Sequence, residues 1–159
     1  MAKVLITYYS RSGNTGRMAE LVAEGAREVE GAEVILKTVE DTDAKGLTDY
    51  DAIIAGSPTY YGLMAAELKA LFDESVVLHG QLEGKVGGAF TSAANLGGGN
   101  ETTILSILQA MLIHGMIVQG TSQRDHYGPV AIGAPDERAT GECRKLGRNV
   151  AQLAVRLHG

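Results

Sequence analysis

Five short apolar segments alternate along this chain with stretches of helical periodicity, and this alternation constrains the fold more than any other feature. Each segment is nearly continuous, rich in β-branched residues and bounded by Gly, Asp, Ser or Pro, which is typical of strands buried on both faces of a sheet. The predicted strands are residues 3–9, 33–38, 51–56, 85–91 and 115–119.

Between the strands, apolar residues recur at intervals of three and four, which predicts amphipathic helices. These stripes run through residues 18–29, 65–72, 104–112 and 139–157, whereas the polar residues 38–50 allow only a short helix. Strand–helix alternation predicts an α/β fold with a doubly wound, parallel five-stranded sheet. No repeat, linker or low-complexity tract interrupts the pattern, so residues 1–159 are expected to form a single domain.

Composition narrows the classes of function. The net charge is −5 and no basic run occurs, so we expect no nucleic-acid partner. No apolar run reaches the about 18 residues of a membrane span, and the N-terminus lacks the apolar core of a signal peptide, so we expect no membrane insertion and a cytoplasmic location. The single cysteine, Cys143, excludes an internal disulfide and a multi-cysteine metal site.

Three loops that follow predicted strands are rich in Gly, Ser, Thr and Asn and poor in charge. They are residues 10–15 (SRSGNT), 57–62 (SPTYYG) and 91–100 (TSAANLGGGN). Ligands of doubly wound sheets bind beyond the carboxyl ends of the strands, at the point where the strand order reverses. With the strand order 2-1-3-4-5, the strands before these loops are neighbours, and the three loops share one rim of the sheet.

The first loop leads into a helix near Thr15, where free backbone N–H groups and the positive helix end favour an anion. Further hydrogen bonds can come from the hydroxyls of Ser10, Ser12 and Thr15, and the amide of the intervening Asn14 is another donor. Asn14 or Thr15 also suits an ordinary N-cap, and this loop by itself leaves both interpretations open. Arg11 is either a phosphate contact or a solvated side chain.

Other phosphate-binding motifs do not match. The sequence has no GxxxxGK[ST] motif, which excludes a nucleoside-triphosphate loop, and no GxGxxG after the first strand, which disfavours a dinucleotide site there. A receiver domain needs acidic residues after the first strand and an aspartate at the end of the third, and both are missing. A cysteine phosphatase needs its nucleophile in the first loop, whereas Cys143 lies in the last helical stripe, where a small buried side chain is expected.

The second and third loops add features that a phosphate alone does not need. Tyr60 and Tyr61 are flat side chains on which a planar ring can stack, although they also suit exposed tyrosines that pack on the following helix. Three glycines, Gly97, Gly98 and Gly99, allow the backbone to approach a ligand or partner closely. A phosphate site beside an aromatic loop, with no charged catalytic group, predicts a nucleotide-like cofactor that carries its own chemistry.

The first loop, SRSGNT, resembles the phosphate loop of flavodoxins, which bind flavin mononucleotide (FMN). Nearly the whole chain also resembles the WrbA-type NAD(P)H:quinone oxidoreductases of the same fold, in the stretches MAKVLITYYS, YDAIIAGSPTYYG, GGGNETTI, HGMIV and HYGPVAIGAP. The resemblance implies a flavodoxin-like three-layer fold, FMN as cofactor, NADH or NADPH as electron donor and a quinone as acceptor.

The resemblance also implies which residues contact FMN. The phosphate would be bound by Ser10, Arg11, Ser12, Gly13, Asn14 and Thr15. The ribityl chain and isoalloxazine ring would be lined by Pro58, Thr59, Tyr60, Tyr61 and Gly62, and the polar edge of the ring by Thr91, Ser92, Ala93, Ala94, Asn95, Gly97 and Gly98. His114 matches a family histidine near the flavin, contributed across a subunit interface, or else is a helix-terminal cation. His126 and Tyr127 would lie near the open face of the flavin.

The chain departs from the WrbA pattern in four places. It has no room between residues 40 and 49 for the family's extra segment, it has Ser12 where an aromatic is usual, it lacks an aromatic near His79, and its third loop is one residue longer. These differences concern the nicotinamide and quinone contacts and the family's tetramer, so a homodimer and a homotetramer both remain open.

The expected function is an FMN-dependent enzyme that passes electrons from NAD(P)H to a quinone. The alternative is a flavodoxin-type electron carrier without nicotinamide-dependent activity, which the first loop and the short chain favour. The mild net charge and the absence of Trp argue against the carrier, because strong acidity steers flavodoxins to basic partners. The intact small-residue loops argue against a third possibility, a scaffold that has lost FMN.

Overall fold

The computed structural model describes residues 1–159 and contains six strands and four α-helices. The strands are β1 (Ala2–Tyr8), β2 (Ala32–Thr38), β3 (Ala52–Pro58), β4 (Val86–Ala93), β5 (Ile117–Val118) and β6 (Val130–Ile132). The helices are α1 (Asn14–Arg27), α2 (Ala66–Glu74), α3 (Asn100–Ile113) and α4 (Glu137–His158), and short 3-10 helices span Ala44–Asp49 and Ser75–Leu78.

The sheet has the order β2-β1-β3-β4-β5, with β6 also paired to β4, and every pairing is parallel. This order confirms the predicted doubly wound topology. Because all strands point the same way, the loops after β1, β3 and β4 leave the sheet at the same edge. The fold therefore places the three small-residue loops of the sequence side by side.

Successive side chains of the central strands alternate between two hydrophobic cores, one on each face of the sheet. Val4 and Ile54 belong to the core that α1 and α4 cover. Their sequence neighbours Leu5 and Ile53 belong to the core that α2 and α3 cover. Burial on both faces explains why the strands read as continuous apolar runs, and it makes the molecule three layers thick.

One edge of the sheet differs from the prediction. The fifth predicted strand, residues 115–119, is reduced to β5, which pairs with Val86 and Gly87 at the start of β4. The far end of β4 pairs instead with β6, a sixth strand that the sequence did not predict. Residues 119–129 leave the sheet between the two. A three-residue strand is too short for apolar alternation to reveal it.

The polar residues 38–50 contain a 3-10 helix from Ala44 to Asp49, whose N-cap Asp43 accepts a hydrogen bond from the backbone N–H of Lys45. The connection from β2 to β3 is therefore short and ordered by local bonds. None of the α-helices combines the length and the hydropathy that crossing a bilayer requires.

Candidate functional site

The three loops and the turn after β6 surround one open depression of about 210 Å³, here called the rim depression. Ten of its lining residues were expected from the sequence to bind FMN, and Gly133 was not. The lining residues are Arg11, Ser12, Asn14, Thr15, Pro58, Thr59, Tyr60, Ser92, Ala93, Ala94 and Gly133.

The first loop presents an uncapped helix end to the rim depression. Gly13 is the N-cap of α1 with φ 97°, no side chain caps the helix, and no acidic residue lies in its first turn. One interpretation of the sequence made Asn14 or Thr15 the N-cap of this helix, and that interpretation is wrong. The backbone N–H of Gly16 bonds to the Ser10 hydroxyl, whereas those of Asn14 and Thr15 donate to no protein group. This arrangement favours an anionic ligand.

Hydroxyl groups tie the three loops to one another. Thr15 and Ser92 share a buried hydrogen bond of 2.7 Å between their side-chain oxygens, which joins the first loop to the end of β4. Thr59 and Thr91 share a bond of 2.8 Å, which joins the second loop to the same strand. The hydroxyls therefore fix the shape of the rim depression, and only some of them remain available to a ligand.

The second loop closes through a tight two-residue turn. Tyr60 and Leu63 exchange backbone hydrogen bonds, and the residues between them, Tyr61 and Gly62, have φ values of 49° and 77°. This is the backbone of a type I′ hairpin turn, in which a tyrosine is unusual. The carbonyl of Gly62 accepts a hydrogen bond from the Thr102 hydroxyl at 2.7 Å, so the turn is fastened to α3.

The third loop offers backbone donors beside the first. Its glycine-rich part is held by its own bonds, because Gly97 donates to the Asn100 side chain and Gly98 to the carbonyl of Asn95. The N–H groups of Ala94 and Asn95 donate to no protein group. They lie just past the end of β4, where a polar ligand edge can reach them.

No cluster of metal ligands occurs in the molecule. The site consists of small polar side chains, backbone N–H groups, Tyr60 and the cation Arg11, which forms no ion pair. Such a set binds and orients a ligand but contains no general acid or base. The ligand itself must carry the chemistry.

Several predicted residues lie elsewhere. Ser10 and Gly13 border a groove on the other side of the first loop, and Thr91 is fully buried beneath the site. Tyr61 is completely exposed at the tip of the hairpin turn. The remaining predicted residues of the second and third loops, Gly62, Asn95, Gly97 and Gly98, shape these loops without lining the depression.

His114 lies at the far end of α3, away from the rim depression of its own chain. It is buried, its Nε2 bonds to the Ser75 hydroxyl at 2.8 Å, and its ring centroid lies 6.2 Å from that of His79. Burial, reinforced by His79, lowers the pKa of His114. His114 is thus the C-cap residue of α3, its burial favours the neutral imidazole, and any contact of His114 with a flavin would require a second subunit.

The structure also places Cys143, His126 and Tyr127. Cys143 is fully buried in the core between α4 and the sheet, and burial raises the pKa of its thiol to about 12, so it is an inert core residue. His126 and Tyr127 line a second cavity beside the rim depression. Gly133 follows β6 and donates its N–H to the carbonyl of Ala93. It was not predicted to line the site, although a glycine directly after the apolar run VAI was an available signal.

Comparison with known proteins agrees with this geometry. The family model described as NADPH-dependent FMN reductase matches residues 43–124, which include the second and third loops. The chain belongs to the NADPH-dependent FMN reductase family. The resemblance to flavodoxins and WrbA-type proteins that the sequence motifs indicated is thereby confirmed at the level of the family.

Some relatives of this FMN reductase family member are named flavodoxin and others NAD(P)H dehydrogenase (quinone). A flavodoxin of Aquifex aeolicus is 42% identical over 96% of the chain and 86% of the relative. An NAD(P)H dehydrogenase (quinone) of Caulobacter vibrioides is 39% identical over the whole of both chains. A solved structure, the flavodoxin, WrbA-like protein from Agrobacterium tumefaciens, has a TM-score of 0.83 at 28% identity and covers 99% of both chains.

The alignment with the Caulobacter protein spans 200 positions, so that relative has about 40 positions that this 159-residue family member lacks. The rim depression is formed without those positions. Its uncapped α1 terminus suits a phosphate, and the free N–H groups of the third loop suit the polar edge of a ring. The residues present therefore fit FMN.

Proposed function

We propose that the protein is an FMN-dependent oxidoreductase that passes electrons from NAD(P)H to quinones. The observation that carries the proposal is the rim depression, where an uncapped helix end without acidic residues faces an aromatic loop and a row of free backbone donors. FMN is the cofactor that the family and this donor set both support. When bound, it supplies two-electron transfer between a nicotinamide and a quinone.

The first loop would hold the FMN phosphate. The free N–H groups of Asn14 and Thr15 point out of the positive end of α1, and Ser12 and Arg11 lie beside them at the surface. The phosphate would replace the missing cap of the helix, which both binds the cofactor and stabilises α1.

The second and third loops would hold the ring. Pro58, Thr59 and Tyr60 form one wall of the rim depression, and Ala93 and Ala94 form the other. The free N–H groups of Ala94 and Asn95 would donate to the polar edge of the ring, where negative charge accumulates on reduction. These fixed donors would favour the reduced cofactor without any titrating side chain.

The substrates would use the same open side of the ring in turn. No charged group of the rim depression is positioned to act as an acid or base, so the chain would only orient nicotinamide and quinone. Successive use of one face predicts ping-pong kinetics. The quinone is suggested by the name of the full-length Caulobacter relative, NAD(P)H dehydrogenase (quinone).

An electron carrier is the second candidate, because the relative from Aquifex aeolicus, at 42% identity, is named a flavodoxin. A carrier needs a charged face that steers it to its partner. The net charge of −5 leaves little such field here, and Glu24 and Glu28, at the end of α1, are paired with arginines of α4. The enzyme remains the better-supported function.

The outer face of α3 is apolar and exposed. Leu105, Leu112 and Ile113 are exposed there, and Val76 and Val77 are exposed nearby. Exposed apolar patches of this kind mark protein interfaces. We propose that residues 1–159 form one FMN-binding unit that associates through this face as a homodimer or homotetramer in the cytoplasm, and that His114 reaches the site of a neighbouring subunit.

The test is an anaerobic reaction of the FMN-loaded protein with NADPH or NADH, followed by flavin absorbance at 450 nm. We expect rapid bleaching, then reoxidation and steady turnover on addition of a quinone. Reduction by dithionite serves as the control that the flavin is competent. Bleaching by dithionite but by neither nucleotide would favour the carrier, and failure to retain FMN would reject both functions.

A further inference from the structure

A second cavity, of about 550 Å³, lies beside the rim depression. The third loop and the turn after β6 separate the two, because Ala94 and Gly133 line the rim depression whereas Leu96 and Ile132 line the second cavity. We call it the edge cavity, since it flanks β6 at the edge of the sheet.

Asn100, the first residue of α3, places an unused donor in the wall of the edge cavity. Its Oδ1 accepts a hydrogen bond of 3.1 Å from the backbone N–H of Gly97, which fixes the orientation of the amide. The residue is only 3% exposed, and its Nδ2 is buried without any hydrogen-bond partner. A buried donor without a partner is costly, and a ligand acceptor in the cavity would remove that cost.

Arg124 supplies a free cation to the same cavity. It forms no ion pair or side-chain hydrogen bond and has a φ of 54°, a left-handed conformation that is unusual for a residue other than glycine. Backbone strain of this kind concentrates at ligand sites. The other arginine in the wall, Arg138, is already bound to both carboxylate oxygens of Asp125 at 2.7 Å.

The remaining walls combine a flat apolar surface with two available carboxylates. Tyr127 is half exposed and Leu96 is 86% exposed. Asp136 caps α4 by accepting from the N–H of Ala139, and Glu101 is exposed without a partner. A quinone would not need the charged groups. A nucleotide uses all of them: its phosphates need donors, its ribose hydroxyls need acceptors, and its base needs a flat surface.

We propose that the edge cavity binds the adenosine diphosphate half of the nicotinamide dinucleotide donor. The inference rests on the proposed function, because the nicotinamide half would then cross the third loop to the rim depression. The phosphates would contact Arg124 and the Nδ2 of Asn100. The ribose hydroxyls would donate to Glu101 or Asp136, and the adenine would stack on Tyr127.

Binding is tested first without any turnover, by calorimetric titration of the FMN-loaded protein with 5′-ADP. We expect binding, and we expect Arg124→Ala and Asn100→Asp each to weaken it about tenfold or more. Asn100→Asp keeps the acceptor for Gly97 and replaces the unused donor with a charge. Arg124→Lys should retain most of the affinity, and Arg156→Ala, at an exposed position on α4, is the matched control and should change nothing.

Kinetics then separate the two halves of the donor. In Arg124→Ala and Asn100→Asp the KM for NADPH should rise about tenfold, while turnover with N-benzyl-1,4-dihydronicotinamide, which lacks the adenosine diphosphate half, should be unchanged. The dissociation constant of FMN should also be unchanged.

Two outcomes distinguish the inference from the proposed function. No binding of 5′-ADP to the wild type, or equal binding by wild type, Arg124→Ala and Asn100→Asp, would overturn the edge cavity as a nucleotide site. Binding of 5′-ADP that Arg124→Ala weakens, without oxidation of NADH, NADPH or the short analogue, would support the cavity and reject the oxidoreductase.

Discussion

The hydroxyl residues of the first loop divide into two groups that the sequence does not distinguish. Thr15 is 2% exposed and its hydroxyl bonds to Ser92, and the hydroxyl of Ser10 accepts from the N–H of Gly16. Only the side chain of Ser12 is exposed beside the uncapped helix end. Composition predicts a phosphate loop, but only the fold shows which hydroxyls hold the loop and which remain for a ligand.

Replacing Ser12 with Asp should abolish FMN binding. The new carboxylate would occupy the helix end in place of the phosphate and repel it, so the FMN dissociation constant should rise about 100-fold or more. Fluorescence titration of the apoprotein measures it. Ser12→Ala is the control, because it removes a single donor and should cost much less. Unchanged affinity in Ser12→Asp would place the phosphate elsewhere.

His114 should make the protein less stable in mild acid. Its pKa is lowered in the folded state, first by burial and then by His79, so the unfolded chain takes up the proton first. The contribution of neutral His114 to the free energy of unfolding is therefore fully present above the ordinary pKa of 6.5 and is lost as the pH drops below that value.

Urea unfolding of the wild type and of His114→Gln at pH 7.5, 6.5 and 5.5 measures this effect. The wild type should lose stability over this range more steeply than the variant. His158→Gln, which changes an exposed histidine, should leave the wild-type slope intact. Parallel curves for wild type and His114→Gln would show that protonation of His114 has no part in the pH dependence.

Secondary-structure elements were predictable where they are long and periodic. The stripe from Ala139 to Leu157 becomes α4, because its one buried face dictates a helical period. The continuous apolar run around Ile54 becomes β3, because both faces of this strand are buried. β6 was not predictable, since three residues carry no period. The hairpin turn at Tyr61 was equally hidden, because a tyrosine with positive φ is held there by tertiary contacts and not by its own preference.

One of these contacts joins the second loop to α3 and can be tested. The Thr102 hydroxyl bonds to the carbonyls of Gly62 and Gly99 at 2.7 and 3.0 Å. Thr102→Val removes this bond at nearly constant volume and should lower the free energy of unfolding by about 1 kcal/mol. It should also weaken FMN binding severalfold, because the Tyr60 wall loses its support.

Urea unfolding and FMN titration measure the two effects of Thr102→Val. The conservative variant Thr102→Ser retains the hydroxyl and should resemble the wild type in both measurements. If Thr102→Val and Thr102→Ser bind FMN equally well, the hairpin turn does not depend on this bond for its position.

For the molecule as a whole, strand order was the decisive inference from sequence. It correctly brings the first, second and third loops to one rim, because parallel neighbours end at the same edge. The edge cavity could not be anticipated, since it depends on residues 119–129 leaving the sheet and on Arg124 lining the same cavity as the start of α3. Long-range placement of an irregular segment leaves no periodic signal in the sequence.

The close packing of α1 on α4 gives a test of the layered architecture. Gly147 lies fully inside this contact, where an added Cβ would overlap the carbonyl oxygen of Val22. Gly147→Ala should therefore push the two helices apart and lower the free energy of unfolding by about 1–3 kcal/mol, in spite of the higher helix propensity of alanine. Gly141→Ala in the same helix meets no atom within 4 Å and should stabilise the protein by about 0.5–1 kcal/mol. Urea unfolding of the two apoproteins measures the changes in the free energy of unfolding, and opposite signs would show that interhelical contact, not helix propensity, determines the effect at Gly147. If both variants were stabilised, the helices would be farther apart than the structure places them.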